Sequence, residues 1–176
     1  MIAEGWISVP EMELVKKYMT DNTQILEVGA ANGRLFSYLN TSYPNATYHA
    51  VDPWEQEKVR LQVDWDKGYF EEGNLKEIIT LEMFKVNCPF ATAYEMYFDD
   101  FVTDQKYDIV SLGLVSSSVD WKSAYIKAFD LVKNNGYVIG RNLTHSKYGS
   151  TIHEVIKDYK MIDQTKGSFV LRKLDV

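Results

Sequence analysis

What the chain is short of narrows it first. Its 176 residues include one cysteine, Cys88, which excludes a disulfide framework and a cysteine-built zinc site. No apolar run approaches the roughly 20 residues of a bilayer-spanning helix, so no membrane partner is expected. Basic residues are the minority, 19 Lys+Arg against 25 Asp+Glu for a net charge of −6, and they form no long run. A surface that tracks nucleic-acid phosphates is therefore not expected. Residues 1–19 are acidic and amphipathic and lack the basic and apolar stretches of a secretion signal, so the expected location is the cytoplasm. Neither internal repeats nor low-complexity segments occur. What remains is an ordinary globular mixture, 45% hydrophobic and 25% charged. The length suits about one domain, large enough to stand without a disulfide or metal staple.

Short apolar runs alternate with longer amphipathic stretches. Pro10 opens a helical pattern over 10–19, with Met12, Leu14, Val15, Tyr18 and Met19 at helical spacing. Residues 24–28 read as a strand ending at Gly29, 34–39 as a helix, and 48–51 as a second strand stopped by Asp52-Pro53. A strand, a glycine-rich turn, a helix and a strand within about 30 residues form a βαβ unit, with parallel strands and a right-handed crossover. Farther on, 56–63 reads as helical, 64–73 as a loop, 75–86 as a helix and 90–94 as a short strand. Residues 107–112 read as a buried strand. A helix over 121–132 stops at Lys133-Asn134-Asn135-Gly136, where Gly or Asn fits a left-handed cap. Residues 137–140 read as a strand, 150–159 as a helix with Ser150 as N-cap, and 168–174 as a last, antiparallel strand at the end of the sheet. About six strands alternating with helices predict an α/β fold. It is a single doubly wound Rossmann-like domain over 1–176, with a mostly parallel sheet and residues 1–22 as a helical segment and candidate lid.

Such sheets bind ligands beyond the carboxyl ends of their strands. The first strand ends in Glu27-Val28-Gly29-Ala30-Ala31-Asn32-Gly33, directly ahead of a helix. Gly29 and Gly33 allow a tight turn and a close approach of a ligand to the main chain, and the helix start offers amides to a negative group. Some 20 residues on, Asp52 ends the second strand, where a carboxylate can accept hydrogen bonds from both hydroxyls of a ribose. The dinucleotide fingerprint fits poorly, because Ala31 and Arg34 stand where it needs glycine. The phosphate-binding loop G-x-x-x-x-G-K-[ST] is absent. A turn-forming Asp52 and an ordinary glycine turn are the competing accounts.

The run Glu27, Gly29, Ala31, Gly33 resembles the first motif of the class I S-adenosylmethionine (SAM) dependent methyltransferases, with alanine in place of the middle glycine, and Asp52 matches the second acidic element of that pattern. The resemblance implies SAM as cofactor, with Asp52 on the ribose hydroxyls, the glycine loop under the methionine part and Glu27 near the amino group. Residues 107–112 resemble the family's fourth strand, and 129–140 its following helix, turn and fifth strand, with Asn134-Asn135 replacing Pro-Gly. Gly5-Trp6-Ile7-Ser8, Asp52-Pro53-Trp54 and Ile152-His153-Glu154-Val155-Ile156 are similar to a branch of small-molecule O-methyltransferases. Metal-dependent members of that branch carry acidic residues after strands four and five. Here Leu112-Gly113-Leu114 and Arg141-Asn142 occupy those places, so no catalytic metal is expected.

The expected reaction is methyl transfer from SAM to a small-molecule acceptor, with oxygen as the favoured receiving atom. The alternatives are a degenerate SAM-binding module and a SAM-using enzyme of another reaction. His145, after strand five, is a candidate base or a solvent-exposed loop histidine. Arg141 is a candidate clamp for an anionic acceptor or a surface salt-bridge partner. Trp54 is a candidate cover for the nucleoside, and Glu95, beyond the third strand, a candidate neighbour of the adenosine. Asp120 either borders the acceptor entrance or N-caps a helix, and Trp6 either closes the pocket or packs on the sheet edge. His49 and His153 read as structural, and Glu71-Glu72 and Asp99-Asp100 as solvated surface.

Overall fold

A computed structural model describes residues 7–54, 79–113, 121–141, 158–165 and 168–175. The elements in chain order are α1 (Val9–Lys16), β1 (Gln24–Val28), α2 (Arg34–Asn40), β2 (Thr47–Asp52), α3 (Leu81–Asn87), β3 (Thr92–Glu95), a 3-10 turn (Phe98–Asp100), β4 (Tyr107–Leu112), α4 (Trp121–Leu131), β5 (Val132–Arg141), β6 (Tyr159–Thr165) and β7 (Ser168–Lys173). The strands form one seven-stranded sheet in the order β3-β2-β1-β4-β5-β7-β6. Neighbours from β3 to β5 pair in parallel, and β7 runs antiparallel to both β5 and β6. This is the expected doubly wound Rossmann-like α/β architecture.

The central strands are apolar on both faces because both faces are covered. Ile25, Ala50, Ile109 and Ile139 pack on one face with Met12, Val15, Phe36, Leu39 and Phe84, from the helices α1, α2 and α3. Leu26, Val51, Val110 and Val138 pack on the other with Ala124, Tyr125 and Ala128 of α4. At the start of α1 the Glu11 carboxylate accepts from the Ser8 N–H at 2.8 Å and the Ser8 hydroxyl at 2.7 Å, closing the first turn.

Several expected boundaries move. The helix anticipated over 75–86 begins in its described part only at Leu81, because Thr80 is extended and its hydroxyl accepts from the Met83 N–H at 3.3 Å. The third strand shifts to Thr92–Glu95. No separate turn divides α4 from β5. The strand starts at Val132, directly after the helix, and the residues beyond it bulge between the Tyr107↔Val132 and Ile109↔Tyr137 pairings, with Asn135 at a φ of 61°. The described residues form seven strands, where about six were expected. The last strand is not at the end of the sheet, because β6 lies outside it and forms the edge. Tyr159, expected to close a helix, opens β6. Residues 55–78, 114–120 and 142–157 lie outside the described residues, and with them the helix over 56–63, the loop over 64–73, Glu71-Glu72, Ser116-Ser117-Ser118, Asp120, Asn142, His145, His153 and the rest of the 150–159 helix. So do residues 1–6, including Trp6. Among the described residues no helix is long and apolar enough to cross a membrane.

Candidate functional site

Parallel pairing brings Val28, Val51 and Leu112 to one level at the carboxyl ends of the inner strands. The loop after β1 turns there. Gly29, Ala31 and Gly33 all take positive φ, at 75°, 49° and 82°, and the turn is closed by the Gly33 N–H on the Ala30 carbonyl at 2.9 Å. The Gly29 N–H reaches across to the Val51 carbonyl at 2.9 Å, joining the loop to the end of β2. Gly33 also has no room for a side chain, since a Cβ there would stand 2.4 Å from Cys88 Sγ and 3.1 Å from the Phe84 ring.

Asp52 bridges the two halves of this crest. One carboxylate oxygen accepts the Ala31 N–H at 3.0 Å and the other the Trp54 N–H at 2.8 Å. The side chain keeps some open surface but is enclosed on most sides, and burial pushes its carboxyl above the usual range; the two amide hydrogen bonds oppose that shift without cancelling it. Glu95 pairs in register with Asp52 at the end of β3 and is exposed. Glu27 is buried on β1, between Ala50 and Ser111 in register.

Trp54 is buried, with a φ of 47°. Its indole N–H donates to the Ala31 carbonyl at 2.7 Å and its ring lies 5.2 Å from that of Phe84. Arg141 ends β5, paired in register with Ser168. His145 lies outside the described residues. The structure thus brings together Glu27, Gly29, Ala31, Gly33, Asp52, Trp54 and Glu95 and leaves Arg141 on a different strand end, across β4.

The TehB-like SAM-dependent methyltransferase from Corynebacterium glutamicum superposes with a TM-score of 0.63 at 11% identity, over 94% of this chain and 87% of that one. The chain has the fold of the SAM-dependent methyltransferases. The N-methyltransferase NodS from Bradyrhizobium japonicum shares this methyltransferase fold at a TM-score of 0.60 and 11% identity, over 94% of this chain and 95% of its own. The plantazolicin methyltransferase BpumL, solved with a pentazolic desmethylPZN analog and S-adenosylhomocysteine (SAH), shares it at 0.55 and 13% identity over 84% of this chain, which spans only 51% of BpumL. No protein-family model matches the sequence, and no curated protein does.

Two features of the methyltransferase-fold crest escape a sequence reading. Asn87 Nδ2 donates to the Asn32 carbonyl at 2.8 Å, and Cys88 Sγ lies 3.2 Å from the Gly33 carbonyl. These partners are 55 residues apart in sequence, and no local pattern announces them. The second is Glu11, buried, whose other carboxylate oxygen accepts the Ser168 hydroxyl at 2.8 Å beside the end of β5. The Ser8-x-x-Glu11 spacing is a capping-box signature and was the available signal for it. Among the described residues no group of three or more His, Cys, Asp or Glu is placed to hold a metal ion.

Proposed function

We propose that this chain binds SAM at the joined ends of β1 and β2 and transfers its methyl group to a small-molecule acceptor. The observation that carries the reading is Asp52 tied to the 29–33 loop through the Ala31 N–H. The residues fit the nucleoside. Each Asp52 oxygen accepts one backbone N–H, and a carboxylate oxygen has two acceptor positions. One position per oxygen therefore remains for a vicinal pair of ribose hydroxyls. Glu95 flanks that position, and Glu27 supplies the buried acid at the end of β1 for the amino group. When bound, SAM supplies an electrophilic methyl group on a sulfonium centre. Catalysis then rests on positioning, which a rigid loop on a central strand provides.

In the finer reading, oxygen receives the methyl group, Arg141 clamps an anionic acceptor, His145 takes the acceptor's proton, and no metal takes part. The acidic charge balance disfavours a nucleic-acid acceptor. The test is incubation with methyl-labelled SAM and a panel of small hydroxyl, amine and carboxylate acceptors, read by mass spectrometry. SAH together with a labelled acceptor is expected. Methylthioadenosine as the product, or SAM bound without turnover across the panel, contradicts methyl transfer.

A further inference from the structure

The glycine loop is held from behind by a set of side chains that no methyl-transfer step requires. Four successive carbonyls, those of residues 30 to 33, each accept a hydrogen bond. Ala30 accepts from the Gly33 N–H, Ala31 from the Trp54 indole at 2.7 Å, Asn32 from the Asn87 amide at 2.8 Å, and Gly33 from Cys88 Sγ at 3.2 Å. The last three donors sit together. Trp54 packs on Phe84 of α3, and Asn87 and Cys88 form the end of that helix. The end of α3 is itself pinned to α2, where the Ser37 hydroxyl donates to the Asn87 carbonyl at 3.2 Å.

In a trans peptide the N–H points opposite the C=O, and none of the peptides among the described residues is cis. Drawing the carbonyls of Ala31 and Gly33 back toward Trp54 and Cys88 therefore turns the N–H groups of Asn32 and Arg34 to the other side of the loop. A loop with residues at positive φ relaxes toward commoner conformations unless its surroundings over-determine it. Burial pushes the Cys88 thiol up to about 11, so it stays an S–H donor at neutral pH.

We infer that Trp54, Asn87 and Cys88 are positioning residues that hold the 29–33 loop in its ligand-ready shape before any cofactor arrives. The inference rests on the SAM-site reading for the identity of the ligand but not for the shape of the free loop. Trp54 thereby acts from beneath the loop, on its carbonyl side, and not as a cover over the nucleoside. A preorganised loop spares the ligand the ordering cost, so loss of one donor shows as weaker binding.

The test uses Asn87→Asp, which keeps shape but sets an acceptor against the Asn32 carbonyl, with Cys88→Ala and Cys88→Ser as a deletion and a donor-keeping pair. Hydrogen exchange of the loop amides in the ligand-free protein and calorimetric SAH affinity are read beside the melting temperature. Faster loop exchange and about tenfold weaker SAH binding are expected for Asn87→Asp and Cys88→Ala. Cys88→Ser should restore both, and the core strands should keep wild-type protection. Unchanged loop exchange and affinity in both disruptive variants overturn the inference. Should the wild-type chain fail to bind SAH, the SAM reading falls, while faster loop exchange in the free variants still upholds the positioning role.

Discussion

At Asp52 a carboxylate accepts two backbone amides while burial works against its charge. The folded-state pKa lies above the unfolded one, so ionisation at neutral pH costs stability, and that cost is relieved as the pH falls through the raised value. Ribose hydroxyls donate to the ionised form, so SAH affinity should weaken as the pH falls through that raised value. Calorimetry at stepped pH checks this; affinity that rises on acidification contradicts it. Gly33 is constrained twice over, by its φ of 82° and by Cys88 Sγ at 2.4 Å from a hypothetical Cβ. Gly33→Ala should cost about 1–3 kcal/mol, measured by chemical denaturation, and should weaken SAH binding with it.

The elements show where sequence patterns suffice and where they stop. β1 and β4 were legible because a strand buried on both faces is largely apolar, and Ile25, Leu26, Ile109 and Val110 give each an apolar centre. Gly29, Gly33 and Asp52 were legible for a related reason, since a positive φ and a strand-end carboxylate are local requirements. β6 was not. Lys160, Met161 and Ile162 are exposed on an edge strand, where no buried face imposes alternation, and the strand is set by its pairing with β7. The contacts of Asn87 and Cys88 with the loop were equally hidden, being long-range. At the scale of α1, Glu11 ties the helix start to β7 through Ser168. Glu11→Ala removes acceptors for three donors and should lower unfolding stability by about 1–3 kcal/mol. Stability within error of wild type in a urea titration would contradict that tie.

Across the whole molecule, ligand side and structural side are separated along the strands. His49 lies on the face covered by α4, with Nδ1 3.0 Å from the Tyr107 hydroxyl and its ring between those of Tyr94 and Tyr107. Burial lowers its pKa, so the neutral form is favoured by folding. Its stabilisation is fully present above the unfolded value of 6.5 and is lost as the pH falls through the lowered folded value. The stability of the fold should therefore decline as the pH falls from 6.5 toward that lowered value, by up to about 1.4 kcal/mol per pH unit for this one group. His49→Phe should flatten the slope, as read from denaturation midpoints at stepped pH; an unchanged slope removes His49 as its source.

The central claim is that Asp52 and the loop it ties grip a SAM-like nucleoside. Calorimetric titration of SAH into the wild-type chain and into Asp52→Ala tests it most directly. Saturable binding by the wild type is predicted, with a loss of about 1.5–3 kcal/mol, ten- to a hundredfold, in the variant. An equal dissociation constant in the two proteins, or no binding by either, would contradict it.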